Sequence, residues 1–188
     1  PNPNGIGRAV KTLVPGDDWP NDAELLEVSF DSRCKQFPVS ELNYLQVFPE
    51  LESLSISYRQ ATDDWMPYVA KLKKLKRISC NTRSITDSAF CQLEALTQLG
   101  SVNCAFSRRG DKGIAIICQL PKLQQLNIGH TQVTSEGFAN LRFAKNISSL
   151  YAPRHIEDAD LDYINHLPLT HLSLSENKSI TDVGFAKL

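Results

Sequence analysis

Four histidines and five cysteines are the residues of this 188-residue chain best suited to metal or nucleophilic chemistry. Their spacing builds neither. His130, His155, His166 and His171 are scattered, and no acidic third ligand stands at a matching position. The cysteines are odd in number, lack a C-x-x-C pair and have the wrong spacing for zinc. No Ser/His/Asp elbow, glycine-rich phosphate loop or paired catalytic carboxylates can be picked out. The chain therefore reads as non-enzymatic, without a metal or cofactor. The remaining residues of interest are the large amphipathic groups Tyr58, Phe106, His130 and Arg154, with Arg59 and Arg83 beside them. Aromatic side chains and arginine are enriched at protein interface hot spots.

A period in the sequence positions these groups. Aligned on one leucine-like position, the chain gives Leu25, Leu51, Leu75, Leu99, Leu123, Ile147 and Leu169, at spacings of 26, 24, 24, 24, 24 and 22 residues. Apolar residues recur three and five positions later: Val28/Phe30, Leu54/Ile56, Ile78/Cys80, Val102/Cys104, Leu126/Ile128, Leu150/Ala152 and Leu172/Leu174. A second landmark follows in most units, as Ala61–Asp63, Ile85–Asp87, Val133–Ser135, Ile156–Asp158 and Ile180–Asp182. Residues two apart share one face of a strand. Thr-Asp supplies oxygens for a helix start, whose first amides lack partners, and Phe90, Leu93 and Leu96 then recur at helical spacing. One such unit cannot enclose its own leucines, so a core exists only where neighbours stack.

These residues resemble the leucine-rich-repeat family, in particular the subtype L-x-x-L-x-L-x-x-T-x-I-T-D-x-G-L, related to ribonuclease-inhibitor-like α/β repeats. The resemblance covers about residues 25–188. It implies an α/β right-handed solenoid of about seven repeats, parallel strands on the concave face, helices on the convex face and the last repeat incomplete. Residues 1–24, rich in Pro, Asn, Gly and Asp, are expected to be an N-terminal cap or flexible segment. The last unit stops at Leu188 within its expected helix, which suggests a longer parent protein or an end that self-associates.

Composition narrows the partners. Hydrophobic content of 41% suffices for one elongated core. A net charge of −1 gives no pull towards nucleic acid or an anionic membrane. No apolar run is long enough to span a bilayer. Cys80 and Cys104 fall on core landmarks, Cys91 and Cys118 on helices, and all four are expected as small buried hydrophobes in a reducing compartment. Cytoplasmic location is expected, with a secreted effector as the alternative.

Two rows of loop residues follow the strands. The first reads Ser32, Tyr58, Thr82, Phe106, His130, Arg154, Glu176, and the next reads Arg33, Arg59, Arg83, Ser107, Thr131, His155, Asn177. With Arg108 and Arg109, the arginines suggest a basic stripe for an acidic protein segment. The function expected is non-catalytic recognition of a protein partner on the concave face. The alternative is a targeting arm of a larger protein whose activity lies elsewhere. Asn146-Ile-Ser148 and Asn177-Lys-Ser179 are formal glycosylation sequons.

Overall fold

Strand residues alternate between faces, so the two apolar landmarks of each unit turn one way and the small residue between them turns the other. The computed structural model describes residues 10–12, 27–30, 39–57, 59–107 and 110–188. It arranges them in one parallel sheet in sequence order: β1 (Val10–Thr12), β2 (Glu27–Phe30), β3 (Ser53–Ile56), β4 (Arg77–Cys80), β5 (Ser101–Asn103), β6 (Gln125–Asn127), β7 (Ser149–Tyr151) and β8 (His171–Ser173). From β2 to β8 the register sets Val28, Leu54, Ile78, Val102, Leu126, Leu150 and Leu172 side by side, as the leucine alignment requires. β1 adds an eighth strand to the seven expected. It pairs with β2 from within the segment read as a cap or flexible. Most of residues 1–24, and Leu25, Arg33 and Cys34, lie outside the described residues.

The landmarks form one core along the sheet. Val28, Phe30, Ile56, Cys80, Cys104, Ile128 and Leu150 are all 0% exposed. The facing layer is short helical turns: α1 (Met66–Val69), α2 (Asp87–Phe90), α3 (Asp111–Ile117), α4 (Ser135–Phe138) and α5 (Asp182–Phe185), several adjoined by 3-10 turns. In the described part of the first unit this layer is a 3-10 helix, Val39–Val47. It buries Leu42 and Leu45 and leaves Tyr44 and Val47 outside. Phe30 meets Trp65 edge to face at 5.1 Å. Truncating any fully buried leucine costs about 2–5 kcal/mol. Cys80, Cys104 and Cys118 are buried free thiols, and burial, then the neighbouring Cys104, pushes the Cys118 thiol up to about 12. Cys91 departs from expectation: it is exposed, because the chain turns there from α2 into the 3-10 turn Cys91–Ala95.

The Thr-Asp landmarks hold the stack together differently from the local cap expected. Thr86, Thr134 and Thr181 have the extended backbone of an N-cap residue, yet only Thr181 caps with its own side chain, accepting from the Val183 N–H at 3.2 Å. The acceptor otherwise comes from the preceding unit. Asp63 receives the Thr86 N–H and Oγ–H at 2.7 and 2.6 Å. Asp111 receives the same pair from Thr134 at 2.9 and 2.7 Å, and Asp158 from Thr181 at 2.8 and 2.5 Å. Asp87 takes the Gly110 N–H at 2.9 Å. Where unit five carries Ser135 in place of the acid, the bond reverses. Ser135 Oγ–H donates to Asp160 of the next unit at 2.8 Å, and Asp160 also takes the Glu157 N–H at 2.8 Å.

This carboxylate explains the glycine three residues after Thr134 and Thr181; the residue three after Thr86 is Ala89. A Cβ on Gly137 would stand 2.0 Å from Asp111 Oδ1, and one on Gly184 would stand 2.2 Å from Asp158 Oδ1. The glycine makes room for the neighbour's acid.

Candidate functional site

After β5, β6 and β8 the chain turns away through one residue in the left-handed region: Phe106 (φ 58°), His130 (φ 56°) and Glu176 (φ 68°). The next residue locks the turn. Ser107 Oγ–H donates to the Cys104 carbonyl at 2.6 Å, Thr131 Oγ–H to Ile128 at 2.7 Å and Asn177 Nδ2–H to Leu174 at 3.3 Å. Unit six has one residue fewer in this loop, and the left-handed position moves to His155 (φ 69°). L-residues other than Asn and Asp bear a cost of roughly 1–2 kcal/mol there, and glycine bears none. Here the position carries a phenylalanine, two histidines and a glutamate.

The side chains of Phe106, His130 and Glu176, with Arg154, assemble into one rim. The Phe106 and His130 rings stack 4.3 Å apart at 10°. Arg154 Nη2 bonds Glu176 Oε2 at 2.6 Å, and Glu176 Oε1 lies 4.0 Å from His130 Nε2. Phe106 is 58% exposed although apolar. Between rim and sheet lies a cleft of about 270 Å³, with Phe106, His130, Tyr151 and Arg154 around it and Ala105, Gly129 and Ala152 below. Arg154 Nε is buried and without a hydrogen-bond partner.

Tyr151 belongs to this site, at the strand position that is Ser29, Ser55, Ser79, Asn103, Asn127 and Ser173 in the other units. It stands in register between Asn127 and Ser173 and is 49% exposed. It also borders a second, polar groove of about 610 Å³ lined by Asn103, Gln125, Asn127, Ser149 and His171. Asn103 and Asn127 spend their side-chain carbonyls on the Ala105 and Gly129 N–H groups, at 3.1 and 3.0 Å.

The structure unites Phe106, His130 and Arg154 of the expected site. Tyr58 lies outside the described residues, as do Arg108 and Arg109. Arg59 and Arg83 are exposed, two and one units before Phe106. Thr82, the counterpart of Phe106 in unit three, is buried and takes the Ser84 N–H at 3.4 Å. The later members of the arginine row, Ser107, Thr131 and Asn177, close turns. Glu52 pairs with Lys76.

Asn177 also loses its sequon reading in the folded chain. Its Nδ2 donates to Pro153 and Leu174, and its Oδ1 takes the Ile156 N–H. Among the described residues no three of His, Cys, Asp and Glu gather to hold a metal ion, and no helix is long and apolar enough to cross a membrane.

At the β8 end Val183, Phe185 and Leu188 are exposed beside a hollow of about 400 Å³ lined by Leu167, Leu169, Leu172 and Leu174. Asp182 holds the position occupied by Asp158 one unit earlier, and none of the described hydrogen bonds ends on its carboxylate.

The leucine-rich-repeat family model matches residues 119–141 and 165–188. No match is found among curated protein sequences. An internalin of Listeria monocytogenes is similar in structure at 22% identity and a TM-score of 0.60, covering 88% of this chain and 52% of its own. The yeast Rad7–Elc1 complex is similar at 17% identity and 0.56, covering 88% and 54%. The complex of TLR13 with ssRNA13 gives 13% identity and 0.55, covering 88% and 32%. The chain thus spans about half the length of the first two and a third of the last.

Proposed function

We propose that this chain, a leucine-rich-repeat protein by its fold and its two matched repeats, is a non-catalytic module that recognises a protein partner on its strand-lined, concave face. The stacked Phe106–His130 pair, with the Phe106 ring exposed and His130 half-buried, carries the reading. Two ring side chains hold a backbone conformation that glycine would adopt without cost, and the fold takes no core packing from Phe106 in return. A surface that spends stability on exposed aromatic groups fits recognition. Tyr151 and Arg154 complete the patch, and Arg59 and Arg83 flank it in the earlier units. The similarity to an internalin and to a protein of the Rad7–Elc1 complex supports a binding scaffold, with the partner left to experiment.

Capture from native lysate tests this, comparing the native chain with a Phe106→Ala/Tyr151→Ala/Arg154→Ala variant of verified fold. A Tyr44→Ala variant on the helical face is the control. A protein retained by the native chain and the control but lost by the triple variant supports the reading. Equal retention by all three removes the concave face from consideration.

A second reading, self-association through the β8 end, rests on Val183, Phe185 and Leu188, exposed beside the leucine-lined hollow. Sedimentation of the native chain against Phe185→Glu tests it. A dimer abolished by the substitution supports it, and a monomer at high concentration overturns it.

A further inference from the structure

The chemistry left unused in the rim cleft narrows what the partner presents there, given the concave-face reading on which this step rests. We infer that the cleft takes one aromatic or branched apolar side chain of an extended segment, whose neutral main-chain carbonyl hydrogen-bonds Arg154. About 270 Å³ lies below the range typical of pockets for whole small-molecule ligands, and it suits a single side chain. The Phe106 and His130 rings and Tyr151 form its walls and Ala105 and Ala152 its floor, which favours an apolar occupant.

The polar groups select the rest. Glu176 already neutralises Arg154 at 2.6 Å. A partner carboxylate would meet Glu176 as a like charge, and a partner ammonium would meet Arg154. Ser173 and Ser175 bond each other at 3.1 Å, and the Asn127 carbonyl is taken by Gly129. The remaining capacity is therefore mostly donor: Arg154 Nε, Asn127 Nδ2 and the Tyr151 hydroxyl. A buried Nε–H without an acceptor is a cost that an arriving carbonyl oxygen removes. The Arg154 side chain is 41% exposed, so a modest rotation brings Nε to the cleft.

The test uses the full chain and two defined probes, N-acetyl-phenylalanine amide and N-acetyl-phenylalanine with its free carboxylate. NMR follows the Arg154 Nε–H and His130 ring signals. The amide is expected to shift both saturably and to bind more tightly than the carboxylate. Arg154→Lys keeps a charge for Glu176 but removes Nε, and it should weaken the amide about fivefold, the value of one hydrogen bond. Phe106→Ala should weaken it at least as much. Absence of a saturable shift up to the solubility limit overturns the inference, as does tighter binding of the carboxylate or indifference to Arg154→Lys. If the probes fail while the triple variant still loses its captured protein, the cleft chemistry falls and the concave-face reading stands.

Discussion

Each strand-to-helix loop of the solenoid has two halves, and they spend free energy in opposite ways. The second half, at Thr134 or Thr181, is fastened to its neighbour by an aspartate that accepts both a backbone N–H and a hydroxyl. The first half, at Phe106, His130 and Glu176, holds strained backbone and leaves Phe106 and Glu176 exposed. One half secures the stack and the other is free to carry recognition. Substitutions should therefore separate cleanly into those that unfold and those that only unbind.

The largest effect is expected at the joints. Helix glycines usually gain from alanine, but Gly137→Ala drives a methyl to 2.0 Å from Asp111 Oδ1 and should cost about 2–3 kcal/mol in urea unfolding. Gly113→Ala, with 2.8 Å to Asp87 Oδ1, should cost less, and Asp87→Ala should partly rescue it. An equal cost at the two sites would break the steric account. Next comes the carboxylate itself. Asp111→Ala leaves the Thr134 N–H and Oγ–H without their acceptor and should cost about 1–2 kcal/mol.

A smaller effect depends on pH. The Thr181 hydroxyl and backbone N–H, with Lys187 nearby, hold Asp158 below the usual carboxylate range. A depressed native value means that the unfolded chain binds the proton first. This contribution is full above the ordinary carboxylate range and is lost as pH falls through the native value. Asp158→Asn should flatten that part of the stability profile in acid titration, and an unchanged slope would contradict the assignment.

The parts of this design differed in how well the sequence displayed them. The apolar ladder was legible because a two-residue strand period and a constant repeat length leave one register open, and Val28 through Leu172 fall into it. The joints were half legible. Thr and Asp at a helix start point to capping, but a local pattern cannot show that the carboxylate serves the next unit, because that depends on how units stack. β1 was illegible for want of the leucine pattern. In the site, Phe106, His130 and Arg154 followed from register alone. Tyr151 was not legible, because it takes a strand position that is serine or asparagine in every other unit. The inward turn of Thr82 and the turn-closing roles of Ser107 and Asn177 depend on backbone angles that residue type alone does not fix.

The central claim is that the rim is held for recognition at a cost to the fold. The unfolding free energy of Phe106→Asn tests it most directly, since asparagine tolerates the left-handed backbone and adds no ring. Stability equal to the native chain within about 0.5 kcal/mol, or higher, is the result predicted, the lost ring stack offset by relieved strain. A loss of about 2 kcal/mol or more, of the size expected for a packed core side chain, would make Phe106 a structural residue and contradict the division drawn between the two halves of the loop.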